Sequence, residues 1–160
     1  MQAPKPEAEH EWLMQLVGEW DYDHACNMGP DQPPMTSTGK QTTQAIGELW
    51  IQGEIVGCVP DGKQSRSLIT LGYDPARQKF VGTFLTSMMT HLWPYEGTLD
   101  EDRKVLTLDS SGPSFSGEGH CRYQDMLEIM DQDHHVLSSQ YQNPDGTWVR
   151  FMEGHYRRTK

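Results

Sequence analysis

Arg150, Gln124, Glu128 and Asp125 are the side chains whose types and spacing could serve a bound molecule. A guanidinium forks onto a carboxylate with two parallel hydrogen bonds, so an inward Arg150 predicts an anionic ligand. Glu128, or Asp125 on the other parity of the same run, would act as a general acid or base if it were desolvated beside Gln124 or Arg150. Histidine offers a second chemistry, axial ligation of haem, for which His155 and His91 are the candidates. A third constellation, Asp131-x-Asp133-His134-His135, reads better as an acidic hairpin turn than as a metal site. Adjacent residues of a strand point to opposite faces, so His134 and His135 would chelate poorly together. The same alternation separates His120 from Cys121. No Gly-x-Ser-x-Gly elbow occurs, and Gly117-x-Gly119 precedes a strand instead of the helix that a phosphate loop needs.

These groups must be positioned by strands. Residues 7–17 have a helical period, with Trp12, Leu13, Leu16 and Val17 on one stripe and Glu7, Glu9 and Glu11 near the positive helix end. Gly18 is suited to end that helix. Beyond it the period becomes two, and turn signals recur at Gly29-Pro30-Asp31, Pro60-Asp61-Gly62, Asp74-Pro75, Asp100-Glu101-Asp102, Ser111-Gly112-Pro113, Asp131-Gln132-Asp133 and Asn143-Pro144-Asp145-Gly146. About ten strands lie between them, including one long run over 79–92. The expected fold is all-β: an antiparallel up-and-down β-barrel of about ten strands, lipocalin-like, with an N-terminal capping α-helix. An open sandwich is the alternative. Closure is favoured because it removes the exposed edges of a flat sheet. Residues 1–6 are expected to be a loose tail and 7–160 one domain.

Gly18, Trp20, Tyr156 and Arg158 are expected to close the barrel, with the Arg158 guanidinium over the Trp20 indole. Strict alternation back from Arg158 turns Tyr156, Met152, Arg150 and Trp148 inward. With Phe84, Thr86 and Met88, and with Gln124, Met126 and Glu128, they make the expected pocket lining: mostly apolar and soft, with a few polar handles. On that parity His155 faces outward. The opposite face of the 79–92 run, with Leu85, Met89 and Trp93, would serve a homodimer.

The 160 residues carry a net charge of −10, and no Lys/Arg stripe offsets it. Such a surface repels a phosphate backbone and anionic lipid, so neither nucleic acid nor membrane is an expected partner. No apolar run approaches the ~20 residues of a membrane helix, and the first residues have no signal-peptide core. Cys26, Cys58 and Cys121 are widely spaced and odd in number, which favours reduced, partly buried thiols and a cytoplasmic location. No cofactor or metal is expected, haem being the one alternative.

The segment from Leu71-Gly-Tyr-Asp-Pro to Phe84 resembles the strand-turn-strand of the family catalogued as domain of unknown function 1579. The same family shows Leu-x-Gly-x-Trp, here Leu16, Gly18 and Trp20, and Glu-Gly-Thr-x-Asp, here Glu96 to Asp100. An acidic turn like Asp131-Gln132-Asp133, a Pro-Asp-Gly hairpin like Pro144-Asp145-Gly146 and a terminal Tyr-x-Arg, here Tyr156 and Arg158, complete the order. The resemblance implies a lipocalin-like (calycin) barrel and no established reaction. Thr86 stands where the family often has Asp, and Gln124 where it often has Arg, so a site built on those charges in relatives is neutral here. The leading expectation is a small, partly apolar ligand inside a barrel, anionic if Arg150 faces inward. A haem barrel of nitrobindin type, an enzyme with a pocket carboxylate and a homo-oligomeric interaction protein are the alternatives.

Overall fold

A computed structural model describes residues 2–27, 29–58 and 61–160. After helix α1 (Ala8–Met14) come ten strands: β1 (Gly18–Cys26), β2 (Met35–Ile46), β3 (Trp50–Cys58), β4 (Gln64–Asp74), β5 (Lys79–Thr86), β6 (Trp93–Leu99), β7 (Val105–Pro113), β8 (His120–Asp131), β9 (His134–Gln142) and β10 (Trp148–Arg158). Each pairs antiparallel with its sequence neighbours, and β1 pairs β10, so the sheet is a closed up-and-down barrel. Every strand edge is thereby satisfied.

The helix is shorter than the 7–17 period predicts. Its final residues tighten into i→i−3 bonds, Leu16 N–H to Leu13 and Val17 N–H to Met14. The Trp20 indole donates to the Leu16 carbonyl at 3.0 Å, and Arg158 donates to those of Gln15 and Val17 at 2.9 and 2.7 Å. Carbonyls that would have continued the helix are held by side chains instead.

Trp12, Leu13 and Leu16 pack into a cluster with Ile51, Leu71, Phe80, Leu106 and Leu108 across one end of the barrel. Polar pins fix the plug. His10 accepts the Glu7 N–H on Nδ1, which leaves Nε2–H to donate to the Tyr73 carbonyl at 3.1 Å. The Trp12 indole donates to the Arg103 carbonyl at 2.7 Å. Arg103 closes the β6–β7 turn with φ 57°, in which Asp100 accepts the N–H groups of Lys104 and Val105.

Two strand details differ from expectation. The long run over 79–92 ends at Thr86; Ser87 to Leu92 form the β5–β6 loop. In β10 the register shifts between Arg150 and Met152: Arg150 pairs Gln140, but Met152 pairs Ser139. Phe151 is the extra residue of a β-bulge, and alternation counted through it changes parity.

Candidate functional site

The barrel encloses a cavity of about 570 Å3. The helix end closes it through Leu16, Ile51 and Leu71. The opposite end carries the β5–β6 and β7–β8 loops, where Met88, Met89 and Phe115 line the cavity and are also exposed. Apolar walls come from Ile55, Ile69, Phe84, Leu108, Leu127 and Leu137. A second recess of about 500 Å3 lies over β1 and β2, bordered by Asp21, Asp23, Lys40 and Arg157, and is open to solvent. Of these two, the interior space combines enclosure with apolar walls, the combination that suits a small molecule.

Polar side chains enter the lining at several points, Gln41 and Thr43 of β2, Ser67 of β4, Thr86 of β5 and Asp125 and Ser139 of β8 and β9 among them. Asp125 of β8 accepts from Ser139 Oγ at 2.6 Å on one oxygen and from the Tyr95 hydroxyl on the other. Asp125 is half-buried and borders the cavity. Burial pushes its pKa up, against the pull of its two hydrogen bonds. Burial, with the Asp125 charge adding to it, also raises the Tyr95 phenol well above its ordinary value.

Beside this pair, His24 Nε2 and the Tyr156 hydroxyl are hydrogen-bonded at 2.7 Å. Tyr22 stacks obliquely on both rings, with centroids 4.3 Å from His24 and 5.3 Å from Tyr156. The imidazole reaches this position because its cross-strand partner is Gly154, where a Cβ would occupy the ring's space. On the far side of Tyr156, His135 lies parallel at 4.9 Å and meets the Trp20 edge at 4.3 Å. Its Nδ1 is buried with no hydrogen-bond partner, as is Ser110 Oγ. Burial lowers His24 to about 4. It lowers His135 to about 3, helped by the charges of His134 and Arg158. Both imidazoles are therefore neutral at pH 7. Burial first, and then Tyr22, raises the Tyr156 phenol.

The expected lining residues divide. Phe84, Thr86, Met88 and Met152 border the cavity. Gln124, Met126 and Glu128 do not, because β8 turns Tyr123, Asp125 and Leu127 inward. Gln124 instead bridges Asp109 and Gln140 on the outer wall, at 2.9 and 2.7 Å. Trp148 and Arg150 lie outside as well: the Arg122 guanidinium sits 5.6 Å from the Trp148 ring, and Arg150 is exposed. The bulge at Phe151 reverses their parity, and Phe151 takes the inward place. Arg150 thus gives the cavity no cation, and the anchor expected for an anionic ligand is missing from it.

Trp20 stands opposite Arg158, whose guanidinium carbon is 4.2 Å from the indole centroid. Arg158 also donates to the Gln132 carbonyl and pairs with Asp133 at 3.2 Å. Gly18 has φ +139°, and a Cβ there would strike the Arg158 guanidinium. His155 lies on the outer wall, its Nδ1 3.0 Å from His134 Nε2. His91 donates to the Ser111 carbonyl at 2.9 Å. The proposed outer face of Leu85, Met89 and Trp93 is split: Leu85 is exposed, while Met89 and Trp93 border the cavity, because the strand ends before them. Of the three free thiols, Cys26 and Cys121 are half-buried and Cys58 is exposed.

Tyr22, His24, Tyr95, His135 and Ser139 border the cavity without being among the expected lining residues. Tyr22 and His24 were within reach of sequence reasoning, since they follow Trp20 at steps of two on a strand without bulges.

A family model described as "Protein of unknown function (DUF1579)" matches residues 5–158. No curated protein matches the chain. Among solved structures, Rv2717c from M. tuberculosis superposes with TM-score 0.63 at 14% identity, covering 98% of this chain and 100% of that one. The S-type phycobiliprotein lyase CPES from Guillardia theta gives 0.60 at 13% identity, covering 97% and 99%. EF1p2_mFAP2b bound to DFHBI gives 0.52 at 12% identity, covering 95% and 100%. At these identities the likeness is one of fold. No helix among the described residues is long and apolar enough to cross a membrane.

Proposed function

The chain belongs to the DUF1579 family of proteins of unknown function, and we propose that its barrel binds a small, largely apolar molecule in the interior cavity. The carrying observation is the cavity itself: about 570 Å3, walled mainly by apolar and aromatic side chains, with a few polar groups set among them. Apolar walls supply affinity and a few fixed polar groups supply orientation. In this reading Asp125, held by Tyr95 and Ser139, and the His24–Tyr156 pair orient the molecule. Phe84, Thr86, Met88, Phe151 and Met152 provide contact area toward the mouth. The exposed Met88, Met89 and Phe115 form the entrance, where flexible thioethers adapt to different shapes. A barrel of this architecture holds DFHBI in one of the neighbours, which supports the reading by analogy of fold. A cytoplasmic location belongs to the same proposal, since three free thiols suit a reducing compartment.

Nile red, a neutral dye that brightens in apolar surroundings, tests the reading. One dye should bind per chain with a blue-shifted emission. Ser67→Phe, which puts a ring into the cavity from a buried lining position, should abolish the signal while leaving the chain folded. Equal brightening by the Ser67→Phe variant, or no brightening by the parent chain, would reject an interior site. Native mass spectrometry of freshly purified protein reports any retained molecule and the oligomeric state together.

A further inference from the structure

Resting on that reading, we infer that the molecule held in the cavity carries a protonated amine, seated against the Asp125 carboxylate and the surrounding aromatic rings. Charge balance is the first argument. Among the described residues that line the cavity, Asp125 is the only formally charged side chain; no Lys, Arg or Glu borders it. His24 and His135 are neutral at pH 7 and contribute no positive charge. Arg150, the expected counter-charge, is on the outer wall.

Hydrogen-bond roles are the second argument. Ser139 Oγ donates to one oxygen of Asp125 and the Tyr95 hydroxyl to the other. Both hydroxyls can donate, so the site accommodates Asp125 as an acceptor-only carboxylate. A carboxylate oxygen can accept more than one hydrogen bond, and Asp125 borders the cavity. An ionised carboxylate withdrawn from water and lacking a cation is costly, and an ammonium supplies both the opposite charge and the donors.

The walls supply the third argument. Tyr22, Trp93, Tyr95, Tyr123, Phe151 and Tyr156 all border the same space. Aromatic faces attract a cation through the ring quadrupole, most strongly where water is excluded. A carboxylate ligand would meet Asp125 as a like charge and find no cationic partner. The chain's net charge of −10 acts in the same direction at long range, drawing cations toward the barrel and repelling anions.

Three probes that share one ring system and differ in head group make the test: 2-naphthylmethylamine, 2-naphthylmethanol and 2-naphthoate. Binding is measured at pH 7.5 by isothermal titration calorimetry, with Nile red as a reference for cavity access. The amine should bind about tenfold more tightly than the alcohol, and naphthoate more weakly than either. Asp125→Asn, which preserves shape, should remove the preference for the amine over the alcohol. Should that variant fail to fold, the rank order on the unaltered chain still decides. An alcohol or naphthoate matching the amine overturns the inference, as does an Asp125→Asn chain that keeps the preference. If Nile red enters but none of the three probes binds, the inference falls while the cavity reading stands. If Nile red is excluded as well, both fall.

Discussion

Arg158 lies over the face of Trp20 at 4.2 Å while donating to the carbonyls of Gln15, Val17 and Gln132. One planar group thus ties the helix exit, the first strand, the last strand and the β8–β9 turn. A lysine carries the same charge but presents three donors from a point, and cannot lie flat while reaching those carbonyls. Arg158→Lys should therefore cost nearly as much as Arg158→Met, about 2–4 kcal/mol in urea unfolding. Trp20→Ala should lower the melting temperature at least as much, and an unchanged melting temperature would refute the closure role.

The buried histidines make the fold acid-sensitive. His24 and His135 have folded values of about 4 and about 3, against an ordinary 6.5. The unfolded chain binds more protons across this interval, so stability falls as the pH drops below about 6.5. The loss is roughly 3 kcal/mol for each histidine between pH 7 and pH 4. Asp125 has the opposite sign: its raised folded pKa gives a contribution present below the ordinary carboxylate value and lost as pH rises through the folded one. Urea midpoints measured from pH 7 to pH 4 should decline steeply. In a His24→Gln/His135→Phe double variant they should decline much less.

His135 is also a place where polarity can be removed. Its Nδ1 is buried without a partner while the ring stacks on Tyr156. An unsatisfied buried polar atom costs about 1–3 kcal/mol. His135→Phe keeps a flat ring against Tyr156 and should leave stability at pH 7 equal or higher by chemical denaturation. A loss above about 1 kcal/mol would mean that Nδ1 has a partner in solution.

Arg150 and Phe151 should exchange the importance that simple alternation assigns them. Arg150→Ala, on the outer wall, should leave Nile red affinity within about twofold of the parent. Phe151→Ala removes a ring that borders the cavity and should weaken it by roughly tenfold or more. Equal effects from the two would contradict the bulge.

The container was far more legible than its lining. Ten alternating runs separated by turn residues dictated the strands, and Gly18, Trp20 and Arg158 marked the seam where the sheet closes. The inward faces were harder for two physical reasons. In β8 both parities mix apolar and polar residues, Met126 and Met130 on one and Leu127 and Ile129 on the other, so hydrophobicity does not choose a face. In β10 the pattern counted from Arg158 is sound as far as Met152 and fails one residue later, because a bulge leaves no mark in composition. The Thr86 boundary was hidden for a related reason: Leu85, Met88, Met89 and Leu92 continue an apolar run into a loop whose exposed residues surround the mouth.

That extra residue in β10 has an evolutionary corollary. Deleting Phe151 would leave Arg150 facing out and Met152 facing in, and would restore an unbroken ladder against β9. The barrel can therefore lose a residue there without turning any neighbouring side chain over. A length change of one at this point keeps the strand faces and removes a single aromatic ring from the interior. Such a deletion would retune what the interior accepts, at the expense of the Phe151 carbonyl that takes the Asn27 N–H beside β1.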